Sequence, residues 1–352
     1  MSLPTTMKAL KSVSKGESAL QSVPLPTLRD DYVLAKVHAV ALNPTDWKHI
    51  AFMPNPGATV GCDFSGTVVK VGPKVTKTLS PGDRITGFTH GVNSVEVEDG
   101  SFAEYCIMKG DLATKIPDSL SFEEASTFGV GISTVGQGLY QSLGLKLPGE
   151  GSGEGEYVVV YGGSTATGTL AIQYAALSGY KVISVNSPHN DGLVKGLGAE
   201  KSFSYKDADC GKQIREYTGG KVTKVFDTIS EGDSPSICAD IFGDKGGKIS
   251  FLLQVGRDKV PDEKIQIETT LAYTITGEGF KFGPQAFEIP GKAQDFEFGK
   301  KFWGLAEKLL AEGKIKAHPT DVRSGGLDKI KEGLKDLQDG KVSGKKIVYT
   351  IA

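Results

Sequence analysis

The chain of 352 residues is long enough for two domains, each with its own core. Lysine plus arginine (40) nearly balances aspartate plus glutamate (42), so there is no electrostatic footprint for nucleic acid or an anionic membrane. Four cysteines without a Cys-x-x-Cys pair suit a reducing compartment, and no apolar run approaches a membrane span, so a soluble cytoplasmic protein is expected.

In chain order, residues 1–130 read as β-rich. Short alternating or β-branched runs at 32–37, 66–71 and 102–107 are separated by the turn signals Gly72-Pro73, Pro81-Gly82-Asp83 and Asp99-Gly100. Asn43-Pro44-Thr45-Asp46-Trp47-Lys48 follows a strand and begins a short helix, where Thr45 and Asp46 are equally at home as caps. From about 131 strand and helix alternate, with apolar strands at 156–161, 180–185, 224–227, 247–253 and 270–276. That pattern predicts a doubly wound parallel sheet. A flexible glycine-rich loop at 149–155 precedes it.

The most informative segment is Val158-Val159-Val160-Tyr161 running into Gly162-Gly163-Ser164-Thr165-Ala166-Thr167-Gly168, followed by a helix with Leu170, Ala171, Tyr174 and Ala175 on one face. Gly179 ends the helix and 180–185 supplies the next strand. A βαβ unit opened by such a turn gathers backbone N–H groups and a helix N-terminus at one point, a site for a pyrophosphate. A bland glycine turn is the alternative. The second strand ends Val185-Asn186-Ser187-Pro188-His189-Asn190 with no acid to repel a 2′-phosphate, and Asp191 lies further on. Ser187-Pro188 also reads as a helix start, which is itself an anion site. These features select NADPH over NADH. Beyond a Gly/Pro/Phe loop at 277–292, helices are predicted at 296–314 and 327–338. A strand at 346–351 returns to the first domain. The loop is expected to cover the sheet edge formed by 270–276, which predicts a monomer.

The arrangement resembles the medium-chain dehydrogenase/reductase superfamily over essentially the whole chain, in its zinc-free quinone-oxidoreductase-like branch. The landmarks are Asn43-Pro44-Thr45-Asp46, Gly61-Cys62-Asp63-Phe64-Ser65-Gly66, Gly82-Asp83-Arg84-Ile85-Thr86-Gly87 and Gly100-Ser101-Phe102-Ala103-Glu104-Tyr105. Closer still, Tyr161 to Thr167, Ser187 to Asn190, Gly131-Ile132-Ser133-Thr134 and Gly277-Glu278-Gly279 resemble the fungal trans-acting enoyl reductases that partner polyketide synthases. The resemblance implies a Rossmann cofactor domain at 131–294 and a β-rich GroES-like catalytic domain at 1–130 and 295–352. It places the dinucleotide on Gly162, Gly163, Ser164, Thr165, Ala166 and Thr167. Its 2′-phosphate falls near Ser187, His189, Asn190, Lys195 and Tyr205, although Lys195 also reads as a solvated helix face. The positions matching the superfamily's zinc ligands carry Asn43, Cys62 and Val130, which cannot assemble a metal site. Chemistry without a metal favours hydride addition to a conjugated C=C, whose enolate ordinary hydrogen-bond donors can stabilise.

Thr45, Lys48 and Thr134 are the catalytic candidates by this resemblance. Lys48 is otherwise a surface lysine, and Thr134 otherwise a cap for the helix that follows. The expected activity is NADPH-dependent reduction of α,β-unsaturated acyl or carbonyl compounds, small or tethered to the acyl carrier of a polyketide synthase. A free-standing quinone or enone reductase and a cofactor-binding partner protein of low turnover are the alternatives.

Overall fold

The computed structural model describes residues 3–151 and 153–351; Met1, Ser2 and Ala352 lie outside it, as does Ser152 within the glycine-rich loop expected at 149–155. The chain divides into two compact units, one comprising residues up to Ser133 together with those from Tyr273 onward, the other Thr134–Ala272.

The first unit opens with an antiparallel hairpin, β1 (Thr6–Ser14) and β2 (Glu17–Pro24). β3 (Tyr32–Ala41) leads into helix α1 (Pro44–Phe52), and β4 (Asp63–Val71), β5 (Arg84–Phe88), β6 (Tyr105–Lys109) and β7 (Thr114–Lys115) follow. β3 is the organising strand because Val33, Ala35, Val37, Ala39 and Ala41 are all fully buried, and β4 and β6 both pair with it antiparallel. After the short helix α2 (Phe122–Ala125), α3 (Gly129–Val135) carries the chain across the division and continues as a π-helical stretch, Gly136–Ser142.

The second unit is a six-stranded parallel sheet. β8 (Tyr157–Tyr161), α4 (Ala166–Leu177), β9 (Lys181–Asn186), α5 (Asp191–Gly196), β10 (Ala199–Ser204), α6 (Cys210–Thr218), β11 (Lys224–Asp227), α7 (Ser234–Asp240), β12 (Gly247–Phe251) and β13 (Ile265–Thr269) follow in turn. Their spatial order is β10-β9-β8-β11-β12-β13, which makes β8 and β11 the central pair at which strand order reverses. Val158, Val159 and Val160 are fully buried, as a strand with both faces covered requires.

The chain then returns to the first unit with α8 (Ala293–Ala311), β14 (Thr320–Arg323), α9 (Gly326–Gln338) and β15 (Lys346–Thr350). β15 pairs antiparallel with β3, so the C-terminal strand returns to the first domain as expected.

Two expectations need correction. The stretch 270–276 is not a strand: Ala272–Thr276 is a 3₁₀-helix and the sheet ends at β13. Leu271, Tyr273 and Ile275 alternate as a strand would, but packing contacts distant in sequence override that local pattern. Residues 273–294 moreover group with the first unit rather than the second. Tyr273, Phe280 and Phe282 pack their rings against His49 and His90 there, at centroid distances from 3.9 to 6.0 Å. β10 is not apparent from the sequence, because Glu200, Lys201 and Ser202 give an outermost strand little apolar content.

Candidate active site

The cofactor half is built at the C-terminal end of β8. Gly162 has φ +74°, a left-handed conformation, and a Cβ there would stand 2.5 Å from the Thr228 hydroxyl. At Gly163 a Cβ would lie 2.0 Å from Ser184 Oγ, and at Gly168 one would lie 2.2 Å from the Gly162 carbonyl oxygen. These glycines therefore bring strand, turn and helix into direct contact. Thr165 is the N-cap of α4, its hydroxyl accepting from the Gly168 N–H at 2.9 Å. The first-turn N–H groups of Ala166 and Thr167 are left without intrahelical acceptors, at the positive end of a 12-residue helix. This close approach of backbone at a helix N-terminus suits a dinucleotide phosphate. Thr228, which sequence reasoning missed, pins the turn by donating to the Tyr161 carbonyl at 2.8 Å.

At the end of β9, Ser187 caps a 3₁₀ turn with Pro188 at its first position, and its hydroxyl donates to Tyr205 Oη at 3.1 Å. The structure thus joins two residues, well separated in the chain, that the resemblance assigns to the same ligand group. His189, Lys195 and Tyr205 are exposed, while Asn190 is buried. Asp191 accepts from the Asn186 amide at 2.9 Å, so one carboxylate does stand near this strand end, closer than its place in the sequence implies.

The candidates of the first unit cluster around α1. Asn43 is its N-cap, and the Asn43 N–H donates to Asp46 Oδ2 at 2.7 Å. The capping alternative therefore holds for Asp46, whose carboxyl is pushed up to about 7 by burial and only partly eased by that N–H. Thr45 is half-buried and its hydroxyl lies 2.5 Å from Tyr273 Oη and 3.3 Å from His49 Nε2. His49 Nδ1 meets the Gly91 carbonyl at 3.1 Å, and burial pulls the imidazole down to about 4. Lys48 is half-buried with its ammonium 5.7 Å from the Trp47 ring centre. Thr134 begins the second unit and is buried inside α3, which starts at Gly129, so it does not cap that helix.

Of the three positions matching zinc ligands, Asn43 Oδ1 accepts from the Lys346 ammonium at 2.9 Å. Lys346 also donates to Asp63 Oδ2 at 2.5 Å, and Asp63 Oδ1 accepts from the Val130 N–H at 2.6 Å. Cys62 is buried beside Asp46 and Tyr273, its thiol pushed well above the ordinary range by burial. A lysine ammonium thus bridges Asn43 and Asp63 where a ligand set would have to converge. Among the described residues no group of three or more His, Cys, Asp or Glu is placed to hold a metal. Sequence reasoning finds in Lys346 only the start of a strand; a charge opening an otherwise buried strand is the signal that could have marked it.

Two family models match the chain: the alcohol dehydrogenase GroES-like domain over residues 29–118 and the zinc-binding dehydrogenase domain over 166–283. Trans-enoyl reductase ACTTS2 of Alternaria alternata is 49% identical over 98% of this chain and 99% of its own. Trans-enoyl reductase resD of Aspergillus sclerotiorum is 42% identical over 98% and 100%. Among solved structures, the quinone oxidoreductase of Coxiella burnetii superposes with a TM-score of 0.73 at 24% identity, covering 99% of this chain and 100% of that one. The fold and the glycine cradle define a medium-chain dehydrogenase/reductase, a class that binds a nicotinamide cofactor. Within that class the chain belongs to the family of fungal trans-enoyl reductases. No helix among the described residues is long and apolar enough to cross a membrane.

Proposed function

We propose that this protein uses NADPH to reduce the C=C bond of an α,β-unsaturated acyl thioester, acting in the cytoplasm on a chain held by the acyl carrier of a polyketide synthase. The observation that carries the reaction class is the likeness, over nearly the full length of both chains, to proteins named trans-enoyl reductases. The cradle of Gly162, Gly163 and Gly168 with Ser164, Thr165, Ala166 and Thr167 would hold the pyrophosphate. Ser187, His189, Asn190, Lys195 and Tyr205 would hold the 2′-phosphate, and the Ser187–Tyr205 hydrogen bond supports that grouping.

A nicotinamide held there would supply the hydride for the β-carbon. We assign the Lys48 ammonium the role of donor to the substrate carbonyl oxygen, where charge develops, and the Thr134 hydroxyl a second polar contact to substrate or cofactor. Thr45 supplies a hydroxyl at the nicotinamide. No metal is required, because Asn43, Cys62 and Val130 are already engaged within the protein.

The test is an NADPH oxidation screen over short enoyl thioesters, enones and quinones, with NADH in parallel and chelator in a second set. Enoyl thioesters should be the best substrates, NADPH should have a KM about tenfold or more below that of NADH, and chelator should change nothing. Turnover of quinones alone would point to a free-standing quinone reductase. Equal use of NADH would assign Asp191 the role of ribose partner, and absence of all turnover would leave a cofactor-binding partner protein.

A further inference from the structure

Tyr273, His49 and Thr45 form a closed hydrogen-bond triangle with sides of 2.5, 3.3 and 3.5 Å. Its directions follow from counting protons. The Gly91 carbonyl only accepts, so His49 Nδ1 carries the ring proton and Nε2 is a lone-pair acceptor. The depressed basicity of His49 agrees with a neutral ring. Thr45 and Tyr273 are the hydroxyls facing Nε2, and each has one proton.

If Thr45 donates to Nε2, its proton is spent there. If Tyr273 donates to Nε2 instead, the 2.5 Å bond requires Thr45 to donate to Tyr273. If Tyr273 donates to the Cys62 sulfur, its remaining hydrogen-bonding side partner, Nε2 again falls to Thr45. Any other arrangement leaves a buried imidazole nitrogen unpaired, which is unfavourable. In every satisfied arrangement the Thr45 proton points inward.

We propose that Tyr273 and His49 are positioning residues that turn the Thr45 hydroxyl into a fixed hydrogen-bond acceptor. Thr45 is half-buried, whereas Tyr273 and His49 are buried, so the free lone pair of Thr45 is what remains for a ligand. An acceptor suits a hydroxyl-bearing ligand such as the cofactor's ribose, and it cannot stabilise an enolate oxygen. The inference rests on the assignment of Thr45 to the nicotinamide.

A double-mutant cycle of Thr45→Val and Tyr273→Phe tests it, read by fluorescence titration of NADPH and by steady-state kinetics with an enoyl thioester. Loss of one neutral hydrogen bond corresponds to about fivefold. Each single variant should weaken NADPH binding by about that factor, and the double variant should be no weaker than Thr45→Val alone. Additive losses would mean that Tyr273 does not act through Thr45. A hundredfold fall in kcat for Thr45→Val at unchanged NADPH affinity would make Thr45 a donor to the enolate. Either result overturns the proposal, as would unchanged binding in Tyr273→Phe. If Thr45→Val alone leaves binding and rate unchanged, the assignment of Thr45 itself falls and the proposal with it. The titration reads all four proteins even if the wild type reduces no enoyl thioester.

Discussion

Lys48 and Thr134 are where the proposed chemistry depends on single side chains. Removing one donor to a developing oxyanion costs about 3 kcal/mol, roughly a hundredfold in rate. Lys48→Ala is expected to lower kcat for enoyl reduction by that order, and Thr134→Val to lower kcat/KM, both with unchanged circular dichroism. Full activity in both variants would return them to the roles of surface lysine and helix-interior threonine. Asp46 makes a different prediction. Its native carboxyl titrates near 7, against an ordinary value near 3.8, because it is buried. Between those values the native state holds a proton that the unfolded chain has released, so stability falls as pH rises from about 4 to about 7 and is flat above. Asp46→Asn keeps an oxygen acceptor for the Asn43 N–H but removes that slope. Urea midpoints at about pH 4.5 and about pH 8 should show the variant gaining on the wild type as pH rises. Thr45, Lys48 and Thr134 are nominated from sequence by family likeness alone. The partners of Thr45 were not legible, because His49 and Tyr273 are 224 residues apart and only the fold brings them together.

At the scale of elements, the strand–turn–helix at 157–177 was legible because three local signals agree: a β-branched run, a glycine turn and an N-cap threonine. Its glycines are not interchangeable with those elsewhere. Gly168→Ala drives a methyl group onto the Gly162 carbonyl, and backbone has to move. NADPH affinity should drop about tenfold or more, with a lower Tm. Gly192 lies in α5, and a methyl group added there would meet nothing within 4 Å, so Gly192→Ala should stabilise by about 0.5–1 kcal/mol without touching affinity. Thermal melts of the two variants should move in opposite senses, and NADPH titration should shift for Gly168→Ala alone. The element misread at 270–276 failed for the converse reason. Leu271, Tyr273 and Ile275 alternate as in a strand, yet Ala272–Thr276 is helical, because Tyr273 packs its ring on His49 and His90, contacts distant in sequence.

For the whole molecule, the expected monomer depended on a sheet edge at 270–276 covered by the following loop. The edge is instead β13, and Gln266, Glu268 and Thr269 on it are exposed. An uncovered edge strand is a template for pairing with a second copy. Light scattering on a size-exclusion column is therefore expected to give a mass near twice 37.3 kDa; a value at 37.3 kDa would show that the short, charged edge suffices to prevent association. The two-unit plan itself was readable from the change in pattern near residue 131. Its second boundary was not, because the return to the first unit at Tyr273 is fixed by aromatic packing rather than by any change in composition.

The pairing of β15 with β3 has a consequence for how the chain comes off the ribosome. β3 is synthesised early, yet one of its neighbours is residues 346–350, some three hundred positions later. β6 can pair with the first half of that edge of β3 early, but Ala39, Val40 and Ala41 wait without their partner strand throughout synthesis of the entire second unit. That second unit is continuous in sequence and can close its own sheet without waiting. The order of maturation should thus run against the order of synthesis, with the inserted unit becoming protease-resistant first and the N-terminal strands last. Pulse proteolysis of stalled nascent chains would read that order directly, and the interval before β15 emerges is when this protein is most exposed to aggregation.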